Sequence, residues 1–289
     1  MEKAQLRAKI YSRVDELPTL PAVLPKLLSI MESEKSNASK VADAISHDPA
    51  LTSKILKVAN SAYYGFQQEI FDLQKAVALL GFNMVKSLAL SIGVIDTLPS
   101  GKKSPRFSSE GLWIHSLTVA TANQELGKRF SKGNEYEHLF IVGLLHDIGK
   151  VVLQQFFNDL FEKALEEAHS AEKMELFKAE QRVIGLDHGQ VGSMLLTRWK
   201  FPEVINNAIA VHHQAELPEG YSAHDVAILR IGDTLSQELG FGEGGSPSPP
   251  EINKKDLEAL GIKKEDLEDI TVYLESARDG IHAFFDAMS

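Results

Sequence analysis

The stretch FIVGLLHDIGK, residues 140–150, places the tightest constraint on how this 289-residue chain can fold. An apolar run that belongs in a protein interior ends in adjacent histidine and aspartate. Buried imidazole or carboxylate groups are costly unless they are hydrogen-bonded, ion-paired or bound to a metal. The pattern recurs with His115 in GLWIHSLTVATA, His188 in GLDHGQVGSMLLTRW, the pair His212 and His213 at the end of a helical segment, and Asp233 in VAILRIGDTL. Each of these residues interrupts or borders a segment that is otherwise apolar, so the fold must satisfy them singly or bring them together.

The surrounding periodicity is helical almost throughout. MEKAQLRAKI reads as an amphipathic helix, and Leu17, Leu20, Val23, Leu24, Leu27, Leu28 and Met31 recur at mostly three- and four-residue steps. Asn37 is a candidate cap, Asp48 followed by Pro49 is a stronger one, and a further element starts after Asp72 and stops at Gly81. Helices are expected near 109–130, 135–148, 149–169, 172–184, 187–199, 202–212 and 224–239, with a last one from 264 to 286. The run GFGEGGSPSPP at 240–250 has the composition of a flexible surface loop. The expected fold is all-α and multi-helical: an N-terminal bundle (1–98), a linker with proline, glycine and three cations (99–108), and a second helical domain (109–289) on which the bundle packs.

Composition narrows the chemistry. The chain has no cysteine, which excludes disulfides, thiolate zinc sites, iron–sulfur clusters and a cysteine nucleophile. Lys and Arg against Asp and Glu stand at 11 to 10 over residues 1–98 and 19 to 30 over 99–289. The net charge of -10 therefore lies in the second part and disfavours a broad nucleic-acid surface there. No basic recognition helix or base-stacking motif stands out. The sequence shows no signal segment and no window reads as a membrane span, so a cytoplasmic protein without membrane contact is expected.

Any metal must sit on imidazole and carboxylate, a donor set suited to iron, manganese, zinc, nickel or cobalt; calcium prefers oxygen alone. Neighbours on a helix diverge by about a hundred degrees, so His146 and Asp147 can share an ion only at a helix end, or His146 binds one ion while Asp147 bridges two. A lone histidine such as His115 or His188 is more often a hydrogen-bonded core or boundary residue, and His47, His138, His169, His224 and His282 are read that way. The adjacent HD pair together with a separate HH and a lone Asp is harder to explain so.

Three segments, LPTLPAVLPKLLSIM (17–31), ISHDPALTSKILKVANSAYYG (45–65) and AVALLGFNMVKSLALS (76–91), resemble in order and spacing the bacterial HDOD proteins. Residues 108–239 resemble the HD superfamily of metal-dependent phosphohydrolases, to which the HDOD domain is related. The resemblance implies a first metal on His115, His146, Asp147 and Asp233. It implies a second on His188, His212 and His213, bridged to the first by Asp147, with iron or manganese favoured over nickel, zinc or cobalt. Lys150, three residues past Asp147, is retained. One departure stands out: the cyclic-di-GMP phosphodiesterase branch follows its HH pair with a GYP signature, whereas this chain reads HHQAELPEGYSAHD.

Two functions follow from the resemblance. The first is a signalling or regulatory protein that binds protein partners and keeps the metal site for structure or sensing. Tyr63, Tyr64 and Phe66 are surface candidates there if exposed, although core packing is their plainer role. The alternative is a phosphohydrolase or phosphodiesterase acting on a nucleotide or small phosphate ester. In that case Asp147 bridges the ions, Lys150 stabilises phosphate or the leaving group, and His213 orients substrate. The linker cations Lys102, Lys103 and Arg106 would attract the substrate; a lysine at 150 that is merely on the surface is the competing view.

Overall fold

In the computed structural model, residues 3–31, 37–98, 104–133, 136–170 and 173–288 are described. They form seventeen α-helices and connecting turns, with no strand among the described residues. The first six are α1 (Lys3–Asp15), α2 (Val23–Met31), α3 (Ala38–Ser46), α4 (Pro49–Ala59), α5 (Leu73–Leu80) and α6 (Phe82–Thr97). Then follow α7 (Ser109–Phe130), α8 (Leu139–Leu145), α9 (Ile148–Phe156), α10 (Asn158–Ala168), α11 (Leu176–Val183) and α12 (His188–Arg198). The chain closes with α13 (Glu203–Val211), α14 (Ala223–Glu238), α15 (Lys254–Leu260), α16 (Lys264–Ser276) and α17 (Arg278–Met288).

Local chemistry sets many of the ends. Asn37, Asp48 and Asp72 each accept the backbone amide three residues on, at 3.0, 3.0 and 2.7 Å, caps worth about 1 kcal/mol apiece. Gly81 takes φ +86°, a conformation that costs glycine nothing, and turns the chain from α5 into α6 through a bend of 116°.

Two compact units interleave along the chain: Met1–Leu17 with Pro99–Leu274, and Pro18–Leu98 with Glu275–Ser289. The termini thus depart from the sequential division into 1–98 and 109–289. The first helix joins the larger unit because α1 packs on α12 and Arg7 donates to the Gly185 carbonyl at 2.6 and 3.0 Å. The last joins the smaller unit because α17 packs on α4, where Lys57 donates to the Asp286 carbonyl at 3.0 Å. The single helix expected over 264–286 is therefore two. Ile270 and Leu274 bury in the larger unit, Ile281 and Phe284 in the smaller, and the three- and four-residue spacing runs on across the break.

In the smaller unit Leu24, Leu27, Ile45, Ile55, Val85 and Leu88 form the buried interior. Tyr63 packs edge-on against Tyr64 and Phe284, with centroids 4.9 and 5.1 Å away, so these aromatics belong largely to packing; Phe66 keeps 37% of its surface exposed. In the larger unit α7 lies against α8 and α14, and Ala122, Leu126, Leu139, Ile228, Ile231, Leu235, Ile262, Ile270 and Leu274 form one apolar cluster.

One stretch, Leu139–Phe156, does have the length and apolarity of a membrane span, contrary to the sequence reading, in which the interrupting His146, Asp147 and Lys150 conceal it. It comprises α8 and α9, and 89% of it is buried within the protein. A polar pair at its middle is thereby placed in the interior of the larger unit.

The approach of α9 to α12 requires glycine. A Cβ on Gly149 would run into the His188 carbonyl oxygen and lie 2.7 Å from the Gly192 nitrogen. Gly149→Ala should therefore cost about 1–3 kcal/mol, the usual penalty of overpacking, read as a lower urea midpoint. An unchanged midpoint would show that the two helices separate freely.

Candidate metal centre

The polar residues singled out in the sequence meet inside the larger unit. His115 projects from the middle of α7, His146 and Asp147 occupy the break between α8 and α9, and His188 begins α12. His212 and His213 follow α13, and Asp233 lies in α14. The break resolves the divergence expected of adjacent helical residues. His146 closes one helix and Asp147 opens the next at φ -97°, ψ 7°, with no side-chain capping bond, which leaves its carboxylate free to turn inward. Asp187 and Gln190 form a reciprocal capping box that fixes the start of α12 at His188.

All seven residues approach one another closely. Asp147 Oδ2 lies 3.3 Å from His146 Nε2 and 3.5 Å from His115 Nε2, while Oδ1 lies 3.0 Å from His188 Nε2. Asp233 Oδ1 is 3.1 Å from His115 Nε2 and 3.9 Å from His146 Nε2. His213 Nε2 is 2.8 Å from His188 Nε2, and His213 stacks on Phe177 at 4.2 Å. Two groups, His115 with His146 and Asp147, and His188 with His212 and His213, have ligand-type atoms within 4.8 Å of one another. Asp147 presents one oxygen to each group.

The imidazoles are held for metal binding. His146 and His212 direct Nδ1 to the Gly143 and Ile209 carbonyls, both at 2.7 Å, so Nδ1 carries the proton and Nε2 a lone pair. His115 Nδ1 lies 3.0 Å from the Ser236 hydroxyl, which itself donates to the His115 carbonyl at 3.4 Å. His188 Nδ1 meets Glu180 at 2.7 Å. On the inner side, His115 Nε2, His146 Nε2, His212 Nε2 and Asp147 Oδ1 are buried and make no hydrogen bond of proper geometry. Orphaned polar atoms converging from three segments, with nitrogen and oxygen donors mixed, fit one or two divalent ions.

Electrostatics matches this arrangement. Burial opposes charge on Asp147, but His146, Lys150 and His188 outweigh it and hold the carboxyl well below the usual carboxylate range. On Asp233 burial is likewise overcome, by His115 and His146, and its pKa falls. His188 resists burial because Glu180 and Asp147 flank it, and its pKa is pushed up to about 9 against the opposing charge of Lys150. Burial, then His188 and His146, bring His212 down to about 3. Burial, His212 and His188 also hold His213 well below its ordinary value.

Two expectations need correction. Lys150 is no surface lysine: it is buried, and its Nζ donates to Asp147 Oδ2 at 2.6 Å and to the Gly244 carbonyl at 2.7 Å. The loop at 240–250 is packed onto the centre. Phe241 is buried, Glu243 N donates to the Gly111 carbonyl at 3.0 Å, and a Cβ on Gly244 would stand 3.4 Å from the His115 ring. Glycine serves here for close approach, which composition alone does not separate from flexibility.

A cleft of about 520 Å³ reaches His212, His213 and Asp233 and is bordered by Phe177, Arg230 and Asp256. A second, of about 510 Å³, is bordered by Arg106, His115, His169, Lys173 and Gly244. Lys102 and Lys103 lie outside the described residues, and Arg106 is 3.7 Å from Glu166. The remaining histidines stay apart: His138 and His224 both contact Asp225, at 2.9 and 3.2 Å, His169 faces the Leu165 carbonyl, and His47 and His282 are exposed.

Sequence reasoning missed Glu180, Ser236 and Arg230. Glu180 carried a readable signal, a carboxylate on the apolar stripe Leu176, Ala179 and Ile184. Ser236 and Arg230 lie three residues either side of Asp233, on neighbouring turns of α14. Arg230 donates to the His212 carbonyl at 2.7 Å and to the Gln214 carbonyl, fixing the HH turn.

The family model of the HDOD domain matches residues 17–215, which includes every proposed ligand except Asp233. An uncharacterised protein of Treponema pallidum (strain Nichols) is 27% identical over 223 residues, 76% of this chain; the alignment spans only 42% of that relative. An HDOD domain protein of unknown function from Geobacter sulfurreducens, solved by crystallography, is 27% identical with TM-score 0.80, covering 99% of this chain and 97% of the other. A crystal structure of a candidate phosphohydrolase from Shewanella amazonensis SB2B, 24% identical with TM-score 0.75 over 97% and 98% of the two chains, shares the fold.

The histidine shifts set the pH behaviour of metal-free protein. Below the ordinary histidine pKa of about 6.5, the unfolded chain takes up protons that His212 and His213 refuse, so stability falls with falling pH. As pH rises from about 6.5 to about 9, folded His188 keeps a proton that the unfolded chain has lost, so this stabilisation fades too. Urea midpoints of chelator-treated protein should peak near neutrality, and His188→Gln should remove the alkaline decline. A wild-type midpoint that climbs steadily up to pH 9 contradicts this.

Proposed function

The chain belongs to the HDOD family, and from that premise we propose that it is a regulatory protein built around a retained divalent-metal centre and acting on signalling protein partners. The observation that carries this reading is the set of buried inner atoms without hydrogen bonds, set against the anchored Nδ1 atoms of His115, His146, His188 and His212. His115, His146, Asp147 and Asp233 would hold a first ion, and His188, His212 and His213 a second, with Asp147 shared. The family resemblance favours iron or manganese, and the donor set equally admits nickel, zinc or cobalt. A bound ion would polarise a water or a phosphoryl oxygen.

Two features favour regulation over turnover. The segment after His213 lacks the GYP signature, and Lys150, the residue assigned to phosphate, is committed to Asp147 and the Gly244 carbonyl. In the smaller unit Phe66 and Phe71, 37% and 73% exposed, offer apolar contact to a partner.

A second reading, hydrolysis of a nucleotide or small phosphate ester, is favoured by the cleft of about 520 Å³ that opens on His212, His213 and Asp233. There His213, braced by Phe177, would orient a ligand, and Lys150 would have to exchange its bond to Gly244 for one to phosphate.

Metal analysis of purified wild type and Asp147→Ala, followed by a screen of nucleoside monophosphates, cyclic dinucleotides and a generic phosphodiester under Mn²⁺ or Fe²⁺, tests both readings. Stoichiometric metal that is lost in Asp147→Ala, with no turnover, is the expected result. Turnover abolished by Asp147→Ala would establish the hydrolase. Wild-type protein that takes up no transition metal would sink both.

A further inference from the structure

Glu180 stands behind the second group of histidines in a way no other carboxylate among the described residues of the larger unit does. It is fully buried on the inner face of α11. Its Oε2 accepts two hydrogen bonds from one residue, the His188 backbone nitrogen at 2.8 Å and Nδ1 at 2.7 Å. One bond places the start of α12 and the other sets the rotation of the ring, so Nε2 points inward, toward Asp147 and His213. The other oxygen, Oε1, is buried without a hydrogen-bond partner. Retaining a carboxylate so poorly solvated is costly unless positive charge stands nearby, on the His188 ring or on an ion bound at its far side.

Charge balance shows which ion would draw on that carboxylate. The first group contains Asp147 and faces Asp233, two carboxylates for one ion. The second group, His188, His212 and His213, is all imidazole and has only its share of Asp147. The other anchored histidines rest on uncharged acceptors, the Gly143 and Ile209 carbonyls and the Ser236 hydroxyl. His188 alone is backed by a carboxylate, which makes its Nε2 a stronger donor and brings negative charge to the charge-poor side.

We propose that Glu180 is the positioning residue that secures a second divalent ion on His188, His212 and His213, and so makes the centre dinuclear. The inference rests on the metal-centre reading above and goes beyond it in naming what sets the ion count.

The test compares wild type, Glu180→Gln, His188→Gln and the double variant, each titrated with Mn²⁺ and followed by elemental analysis and by the electron paramagnetic resonance of coupled manganese pairs. Circular dichroism checks the fold. Wild type should bind two ions. Glu180→Gln keeps a hydrogen-bond acceptor but no charge, and should weaken the second ion by about 10–100-fold while leaving the first unchanged. Adding it to His188→Gln should do nothing more.

The proposal is overturned if Glu180→Gln binds both ions as tightly as wild type, or if both ions weaken equally. Wild type that binds one ion overturns it while the metal-centre reading stands; wild type that binds none overturns both. Nitrogen-15 spectra of metal-free protein supply a readout independent of metal: His188 Nδ1 should be protonated and hydrogen-bonded in wild type. A His188 that lacks this proton contradicts the proposal directly.

Discussion

The larger unit is organised around the Asp147 carboxylate, a buried charge that contacts His115, His146, His188 and Lys150. Such a group is tolerated only where opposite charge or metal surrounds it, and the fold supplies those surroundings from four helices. The break between α8 and α9 frees the carboxylate from capping. Gly149 lets α12 come close enough to deliver His188, and Arg230 fixes the turn that delivers His212 and His213. Packing and polarity are therefore one problem here. The glycines that allow close approach serve the same atoms that the carbonyl anchors orient.

Those anchors divide the site into two chemically unequal halves. Around His115 and His146 two carboxylates are direct neighbours; around His188, His212 and His213 the direct neighbour is one oxygen of Asp147, and further negative charge arrives second-hand, through Glu180. The loop at 240–250 lies against the first half, with Gly244 between Lys150 and His115. Clefts reach both halves, one at His212, His213 and Asp233 and another at His115. The asymmetry is therefore one of charge, and it bears more directly on regulation or turnover than the ligand inventory does.

Much of this was legible in the residues. HD in the middle of an apolar run, HH at a helix end and Asp233 in a helix interior are expensive placements, and the structure brings all of them together. Asn37, Asp48, Asp72 and Gly81 acted as punctuation because their effects are local. What stayed hidden depended on distant partners. The Gly-rich loop read as flexible because the surface it packs on, Gly111 and His115, is more than a hundred residues away. The split between α16 and α17 escaped notice because an unbroken apolar period serves equally well for one helix or for two that bury in different units. Glu180 is the exception: its place on the apolar stripe of α11 was readable, but its partner His188 lies beyond the turn that ends that helix.

Anomalous diffraction at the manganese or iron edge, from crystals grown with that metal, tests the central claim most directly, because it reports position as well as element. The account predicts a peak among His115, His146, Asp147 and Asp233, and a second among His188, His212 and His213 with Asp147 between them. Crystals without a peak at either place, with the histidine Nε2 atoms hydrogen-bonded to water or to one another, would contradict it.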